Sequence, residues 1–372
     1  MTVTTISRGP AISGLRTSVY EIPTATPLEA DATLSWGKTI LVVVEADSAG
    51  KTGLGYAYAT RAAAELIHAT LAKEVIGAPA FDIPLIRQKL IRLIRDHGRS
   101  GIAAMAISMI DSALWDLKAR ILDLPLASVL GQVRSGVPVY GSGGFTSFSL
   151  NELERHFGRW IAMGLSRVKM KVGGDPEGGA DLERVRLVRN AIGIGSELFV
   201  DADGVYRLKR AMEMAERFSE FGVSWFEEPV SAEDLPGLRS LRDRAPFGIE
   251  IAAGEYGYEQ GYFFRMLQSG TVDVLQADAT RCGGVSGFLE IGSLCEAFGT
   301  PLSASGAPSL HLHICAAVNR ARNLEYFYDH VGIEKMLFDG FIEPKGGLLY
   351  PDLSRPGLGI EFKKSDALRF AA

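Results

Sequence analysis

At 372 residues, with 47% hydrophobic and 22% charged side chains, the chain has the make-up of an ordinary globular protein and excludes a disordered or membrane-embedded one. A formal net charge of −5 offers no basic footprint for nucleic acid, so a small anionic ligand has to be met by local lysines and a metal ion. The length exceeds one eightfold barrel and leaves room for a smaller domain.

The opening MTVTTISRGP has neither a basic start nor an apolar centre, so no secretory signal is predicted. SGLRTSVYEIP (13–23) and TILVVVEADSAGKTGLGYAYA (39–59) read as an antiparallel meander with turns at Ser48-Ala49-Gly50 and at Gly53. Helices are predicted over 62–77, 82–98 and 101–126. The longest apolar stretch, GIAAMAISMI (101–110), is too short to span a bilayer and runs into Asp111. These elements make an α+β capping domain over residues 1–132. No Pro-, Gly- or Ser-rich linker follows it, so close packing against the next domain is expected.

From 133 to 349 the pattern changes to short apolar runs separated by amphipathic segments. The runs are VPVYGSGG (137–144), SRVKMKVGG (166–174), ELFVDADG (197–204), VSWFEEPV (223–230), IEIAAGE (249–255), VDVLQAD (272–278), TPLSAS (300–305) and NLEYF (323–327). Between the second and third, Leu182, Val185, Val188 and Ile192 recur at helical spacing. Eight such units predict an α/β fold, a (β/α)8-type TIM barrel, rather than an open doubly wound sheet, whose G-x-G-x-x-G turn is missing. The Gly- and Pro-rich tail, 350–372, is expected to return across the capping domain. Cys282, Cys295 and Cys315, odd in number and without ligand spacing, read as small core residues of a cytoplasmic protein.

Asp201, Glu227 and Glu255 each end an apolar run, and the carboxyl ends of barrel strands open onto one face. Three hard oxygen ligands brought together there favour one Mg2+ ion. Lys169 and Lys171 alternate with apolar residues and so point into the same mouth. Repulsion between the two ammonium groups is expected to lower a pKa and make one lysine a base near neutral pH. The competing reading is a strand end with two solvated lysines.

Taken in order, Lys169-Met170-Lys171, Asp201 in VDADG, Glu227 in WFEEP, Glu255 in AAGE, and Asp278 followed by Cys282-Gly283-Gly284 resemble the enolase superfamily and, within it, the mandelate racemase subgroup. MIDSALWDLKARILDLPLASVLG (109–131) is similar to the family's junction between capping domain and barrel. The resemblance implies a modified (β/α)7β-like barrel and abstraction of the proton α to a carboxylate; Lys-plus-Mg2+ sites of this superfamily are an example in general accounts of pKa tuning. It also implies Asp201, Glu227 and Glu255 as metal ligands, Lys171 as base, Lys169 as its modulator, Glu325 as a contact to the substrate carboxylate, and a homo-oligomer. Glu228 and Asp203 are read as supporting groups. Capping-domain segments 23–37 and 56–61, with Thr24, Thr26, Trp36 and Tyr58, would close over the mouth, and Asp329 and His330 lie where a distal substrate group would be met.

One position departs from the family pattern. Ser305 stands where the subgroup carries a histidine, while Asp278, that histidine's usual partner, is kept; the second lysine of muconate-cycloisomerase-like relatives is also absent. His311 and His313 lie in the following helix and read as packing or surface residues. Racemisation needs a proton-transfer group on each face of the substrate, whereas syn elimination needs one, so Ser305 favours dehydration of a hydroxylated acid to a 2-keto-3-deoxy product. A racemase or epimerase is the enzymatic alternative, and a metal-binding protein without catalysis is the alternative of another class.

Overall fold

The computed structural model describes residues 8–175 and 178–372. Three antiparallel strands, Gly14–Pro23, Lys38–Ser48 and Lys51–Tyr58, form the first sheet, with Lys38–Ser48 in the middle. Ala49 and Gly50, at φ 51° and 72°, make the tight turn that the sequence predicts.

The turn predicted at Gly53 is not there. Gly53 lies inside its strand opposite Ala46, and the long helix Ile102–Ile121 crosses directly above it. A Cβ on Gly53 would stand 2.2 Å from the Ala113 carbonyl oxygen, and one on Gly55 would stand 2.1 Å from that of Met109. Both glycines are therefore places of close backbone approach. The helix predicted over 101–126 also ends early, because Asp123 turns left-handed at φ 54° and Pro125 follows; a separate short helix, Leu126–Leu130, then begins. The other two cap helices end near Val75 and Leu93.

Eight parallel strands follow: Val137–Gly143, Arg167–Lys171, Glu197–Asp201, Val223–Glu227, Glu250–Ala253, Val274–Ala277, Leu302–Ala304 and Ala321–Phe327. They pair in sequence order, and the eighth closes on the first through Leu324 opposite Val139 and Phe327 opposite Ser142. Closure leaves no edge unpaired and makes this a TIM barrel. Helices connect successive strands, and a further one, Tyr328–Leu337, follows the last. The inward side chains Tyr140, Phe199, Trp225, Ala252 and Val274 pack as a buried cluster, with Phe199 stacked on Trp225 at 4.9 Å. The outward residues of the same strands join the core beneath the helices.

Three polar contacts fasten the long cap helix to the helix that follows the sixth barrel strand. Ser108 Oγ and Asp111 Oδ1 accept the N–H groups of Gly283 and Ser286 at 2.8 and 2.9 Å, and Trp115 Nε1 donates to Ser286 Oγ at 2.9 Å. Asp111 thus sits at the start of helix Gly284–Phe298, where unpaired N–H groups favour a carboxylate. Burial nevertheless lifts its pKa to about 6. On the opposite side, Asp116 takes the N–H groups of Leu54 and Leu358, and Arg120 donates to the Ile360 carbonyl, so the C-terminal residues run along the first domain. All three cysteines are buried. Among the described residues no helix is long and apolar enough to cross a membrane.

Candidate active site

Strand alternation brings Lys169, Lys171, Asp201 and Glu227 to the carboxyl end of the barrel interior, with Lys171, Asp201 and Glu227 level across three neighbouring strands. Lys169 Nζ lies 2.5 Å from Glu227 Oε1, 2.9 Å from Glu325 Oε1 and 3.3 Å from Asp201 Oδ2. Lys171 Nζ lies 2.7 Å from both Asp201 Oδ2 and Asp203 Oδ1. Both lysines and their four carboxylate partners are buried or nearly so. The reading of two solvated lysines therefore does not hold.

Nor does the expected lowering of the lysine pKa values. Burial opposes each ammonium, but Glu227, Glu325 and Asp201 around Lys169, and Asp201 and Asp203 around Lys171, outweigh it and hold both well above the usual lysine range. Repulsion between the lysines is real and smaller, because each has its own carboxylates. For Asp201 burial is again overcome, by Lys171 and Lys169, and its pKa is lowered.

The other acids move the opposite way. Burial first and Asp201 second push Asp203 up to about 8. Burial and Asp201 lift Glu227 well above the carboxylate range, while burial and Glu255 do the same to Glu228. Glu255 is also raised by burial, against the pull of Arg281 and both lysines. Six carboxyl groups thus face two ammonium groups, and Asp203 Oδ2 and Glu228 Oε1 are buried without a partner among the described residues. A divalent cation suits this surplus of hard oxygen donors. In the present arrangement the lysines stand among the acids, and among the described residues no three His, Cys, Asp or Glu side chains form a ready cage.

The side of the mouth built by strands six to eight differs. Ser305 Oγ is buried and, among the described residues, has no hydrogen-bond partner. Asp278 accepts the Thr280 N–H at 2.7 Å and pairs with Arg281 Nε at 3.4 Å. His311 is fully buried; its Nε2 accepts the Ala279 N–H at 2.8 Å and its Nδ1 donates to the Gly306 carbonyl at 2.7 Å. Both ring nitrogens are thereby committed to backbone, and burial keeps the ring neutral. His313 accepts the Ala127 N–H, and burial lowers its pKa to about 4. Neither ring is free to replace a histidine at position 305. Glu325 binds Lys169 through one oxygen and the Gly306 N–H through the other at 3.0 Å.

Strand and lid spacing did not reveal two buried carboxyl clusters at the rim. Glu334 accepts Tyr56 Oη at 2.7 Å and the Ser309 N–H at 2.9 Å, with its pKa pushed by burial to about 7. Glu29, in the hairpin formed by Glu29–Ala30 and Ser35–Trp36, is coupled to Asp329, which also accepts Trp36 Nε1 and Thr39 Oγ1 at 3.3 Å. The same hairpin is tied to the barrel where Thr146 N donates to the Ala30 carbonyl at 2.7 Å. Thr24 and Thr26 bond within the loop. Open surface clefts lie elsewhere, one beside Arg87, Ile91 and Tyr258 and another beside Pro23, Trp160 and Tyr326. Neither is lined by the lysines or their carboxylate partners.

Family sequence models match both parts of the chain: the mandelate racemase / muconate lactonizing enzyme N-terminal domain over residues 16–131, and the enolase C-terminal domain-like family over residues 152–367. The chain belongs to the enolase superfamily, in its mandelate racemase subgroup. It is an enzyme fold in which this member keeps the lysine pair and the three acids and carries serine at position 305. A mandelate racemase/muconate lactonizing enzyme-like protein from Rubrobacter xylanophilus superposes with a TM-score of 0.95 at 47% identity, covering 98% of this chain and 100% of that one. L-talarate/galactarate dehydratase from Salmonella typhimurium is 33% identical over 370 residues, 96% of this chain and 91% of that enzyme; a variant of it liganded with Mg and L-glucarate has a TM-score of 0.91. A racemase from Streptomyces coelicolor, solved with bound magnesium, has a TM-score of 0.91 at 30% identity, covering 97% of this chain and 100% of that one.

Proposed function

We propose that this superfamily member is a Mg2+-dependent hydro-lyase that dehydrates a sugar acid or related hydroxy acid to a 2-keto-3-deoxy acid. The observation that carries this reading is the asymmetry of the mouth. Lys171 stands on one side with acids enough to hold a cation, and the other side presents an unpartnered serine hydroxyl in place of a second proton-transfer group. Asp201, Glu227 and Glu255 would hold the ion. When bound, it supplies a fixed positive charge beside the substrate carboxylate, where negative charge builds as the α-proton leaves.

Lys171 then acts twice. Shared with a cation held by Asp201, Glu227 and Glu255, the charge of Asp201 would pull less on the Lys171 ammonium; Lys171 would then give one proton to solvent and, as the neutral amine, take the α-proton. The C–H electron pair forms the Cα–Cβ double bond, the β C–O bond breaks, and the new ammonium returns its proton to the departing hydroxyl, which leaves as water. The enol so formed tautomerises to the 2-keto acid, and the net change is loss of one water. Lys169, held between Glu227 and Glu325, fixes positive charge near the substrate carboxylate and modulates its neighbour. Asp278 orients Arg281, and Ser305 leaves room.

NMR in D2O with Mg2+ and a panel of sugar acids, hydroxy acids and amino acids tests this, with Lys171→Ala beside it. Lysine-dependent loss of water with a 2-keto product is the expected result. Lysine-dependent α-proton exchange without loss of water would instead support a racemase, the reading favoured by the Streptomyces coelicolor relative. Mg2+ binding with no exchange across the panel would support the noncatalytic alternative. The homo-oligomer implied by the family is checked by light scattering.

A further inference from the structure

His330 lies in the first turn of helix Tyr328–Leu337, just past the eighth strand, and its ring is fixed on several sides. One face stacks on Tyr58 with 3.4 Å between centroids and 5° between planes, and Phe327 meets it edge-on at 4.9 Å. Nδ1 accepts the Ala307 N–H at 3.0 Å. Ala307 is two residues beyond Ser305 and sits in the left-handed region at φ 40°, which aims that N–H at the ring. Gly306 makes the approach possible, since a Cβ there would stand 2.5 Å from Nδ1.

A ring nitrogen that accepts a backbone N–H cannot carry a proton itself, so the neutral ring holds its hydrogen on Nε2. Among the described residues Nε2 has no partner, and it is not among the sealed, orphaned polar atoms. Burial, then Arg281, then His311 oppose a second proton on the ring. Those two neighbours belong to the loop after strand six and the helix after strand seven, and Arg281 also donates to the Glu255 carbonyl at 3.1 Å. The open nitrogen therefore belongs to the same rim as the metal-side acids. It can donate and cannot accept.

We propose that His330 is a substrate-binding residue whose Nε2–H, held in one tautomer, donates a hydrogen bond to a hydroxyl oxygen of the acid bound at the barrel mouth. The inference rests on the reading that the mouth binds a hydroxylated carboxylate, and it narrows that class. A fixed donor beside the Arg281 guanidinium welcomes an oxygen with lone pairs and disfavours an ammonium group, so hydroxy acids are selected over amino acids. It also leaves the proton chemistry to Lys171.

Two measurements test it, one without any substrate. Protein labelled with 15N-histidine carries six such residues, and the signal lost in His330→Asn identifies this one. The expected spectrum shows a proton on Nε2, none on Nδ1, and no titration between about pH 6 and pH 8. A proton on Nδ1, or titration in that range, would overturn the proposal. In the second measurement Lys171→Ala is titrated with the acid panel and the His330 signal is followed alongside turnover by the unmodified enzyme. Hydroxy acids are expected to move the signal and amino acids are not.

His330→Asn keeps an acceptor for the Ala307 N–H and loses the donor. It is expected to lower kcat/KM about 10-fold, mainly through KM, with the shape of the pH profile kept and the ratio of α-proton exchange to water loss unchanged. His330→Gln, which puts an amide N–H near the position of Nε2, should restore part of the loss. An acid that moves the signal without losing water leaves this inference standing and removes the dehydratase reading. An acid that is turned over without moving the signal removes the inference alone, and so does unchanged kinetics in His330→Asn. A panel that neither reacts nor moves the signal removes both.

Discussion

The two sides of the barrel mouth are built by the same kind of strand and carry opposite chemistry. Strands two to four end in charges that answer one another: Lys169, Lys171, Asp201, Asp203 and Glu227 form one buried network. Around strands six to eight the groups are already spoken for or cannot ionise: Asp278 is paired with Arg281, Ser305 is neutral, His311 in the following helix is committed at both nitrogens, and Glu325 is tied to Lys169 and the Gly306 N–H. On the proposed reading, proton transfer has one home in this mouth. The contrast makes the proposed one-sided reaction rest on a single residue, Ser305, at a strand end.

The largest expected effect breaks the charged side. Lys171→Ala should lower kcat by roughly 10²–10⁴-fold, the usual worth of a positioned base, and abolish α-proton exchange, with KM little changed. Exchange that survives the substitution would mean that the base lies on the other side, and the contrast between the two sides would collapse.

Next comes the metal. Glu227→Gln removes an oxygen donor, and a loss of Mg2+ affinity of at least about 100-fold by calorimetry is expected, since even outer partners of a metal ligand are worth 10–100-fold. For the unmodified protein, Mg2+ at about 100 times its Kd should stabilise the fold by roughly 2.7 kcal/mol. Unchanged Mg2+ affinity would remove Glu227 from the ligand set.

Much of this was readable before any coordinates. Alternation along SRVKMKVGG and the acids at the ends of successive runs place the lysines and carboxylates on one face, because a strand has a fixed two-residue period. Partners far apart in sequence were not readable. The lysine pKa direction was misjudged because it depends on Glu227 and Glu325, 58 and more residues away from Lys169. Gly53 and Gly55 resemble turn residues until a helix is known to lie on them. Glu334 and Glu29 look like ordinary surface acids, since what buries them comes from the other domain.

That cross-domain pair supplies the pH prediction. Burial, then the Asp329 carboxyl, raises the Glu29 pKa from 4.5 to about 9. The folded state therefore binds more protons than the unfolded chain between those values, so this contribution is complete below pH 4.5 and lost as pH rises through about 9. Tm in chelator should fall on going from about pH 7 to about pH 10, and Glu29→Gln, which keeps a hydrogen bond and cannot ionise, should fall less. Identical profiles would show that the hairpin does not depend on a proton shared between Glu29 and Asp329.

The smallest effect concerns the neutral side. Ser305 Oγ is buried with no partner, and a hydroxyl so placed costs about 1–3 kcal/mol of desolvation. Ser305→Ala should therefore raise Tm slightly and leave dehydration within about 2-fold of the unmodified rate, since the hydroxyl has no base beside it to make it a nucleophile or acid. Ser305→His asks the complementary question, because it puts a titratable ring two residues from the Ala307 N–H and beside Asp278. If the one-sided site is complete, the histidine leaves water loss unchanged and adds at most slow racemisation. A large gain in racemisation with little dehydration in either form would make the serine a lesion rather than the basis of the reaction.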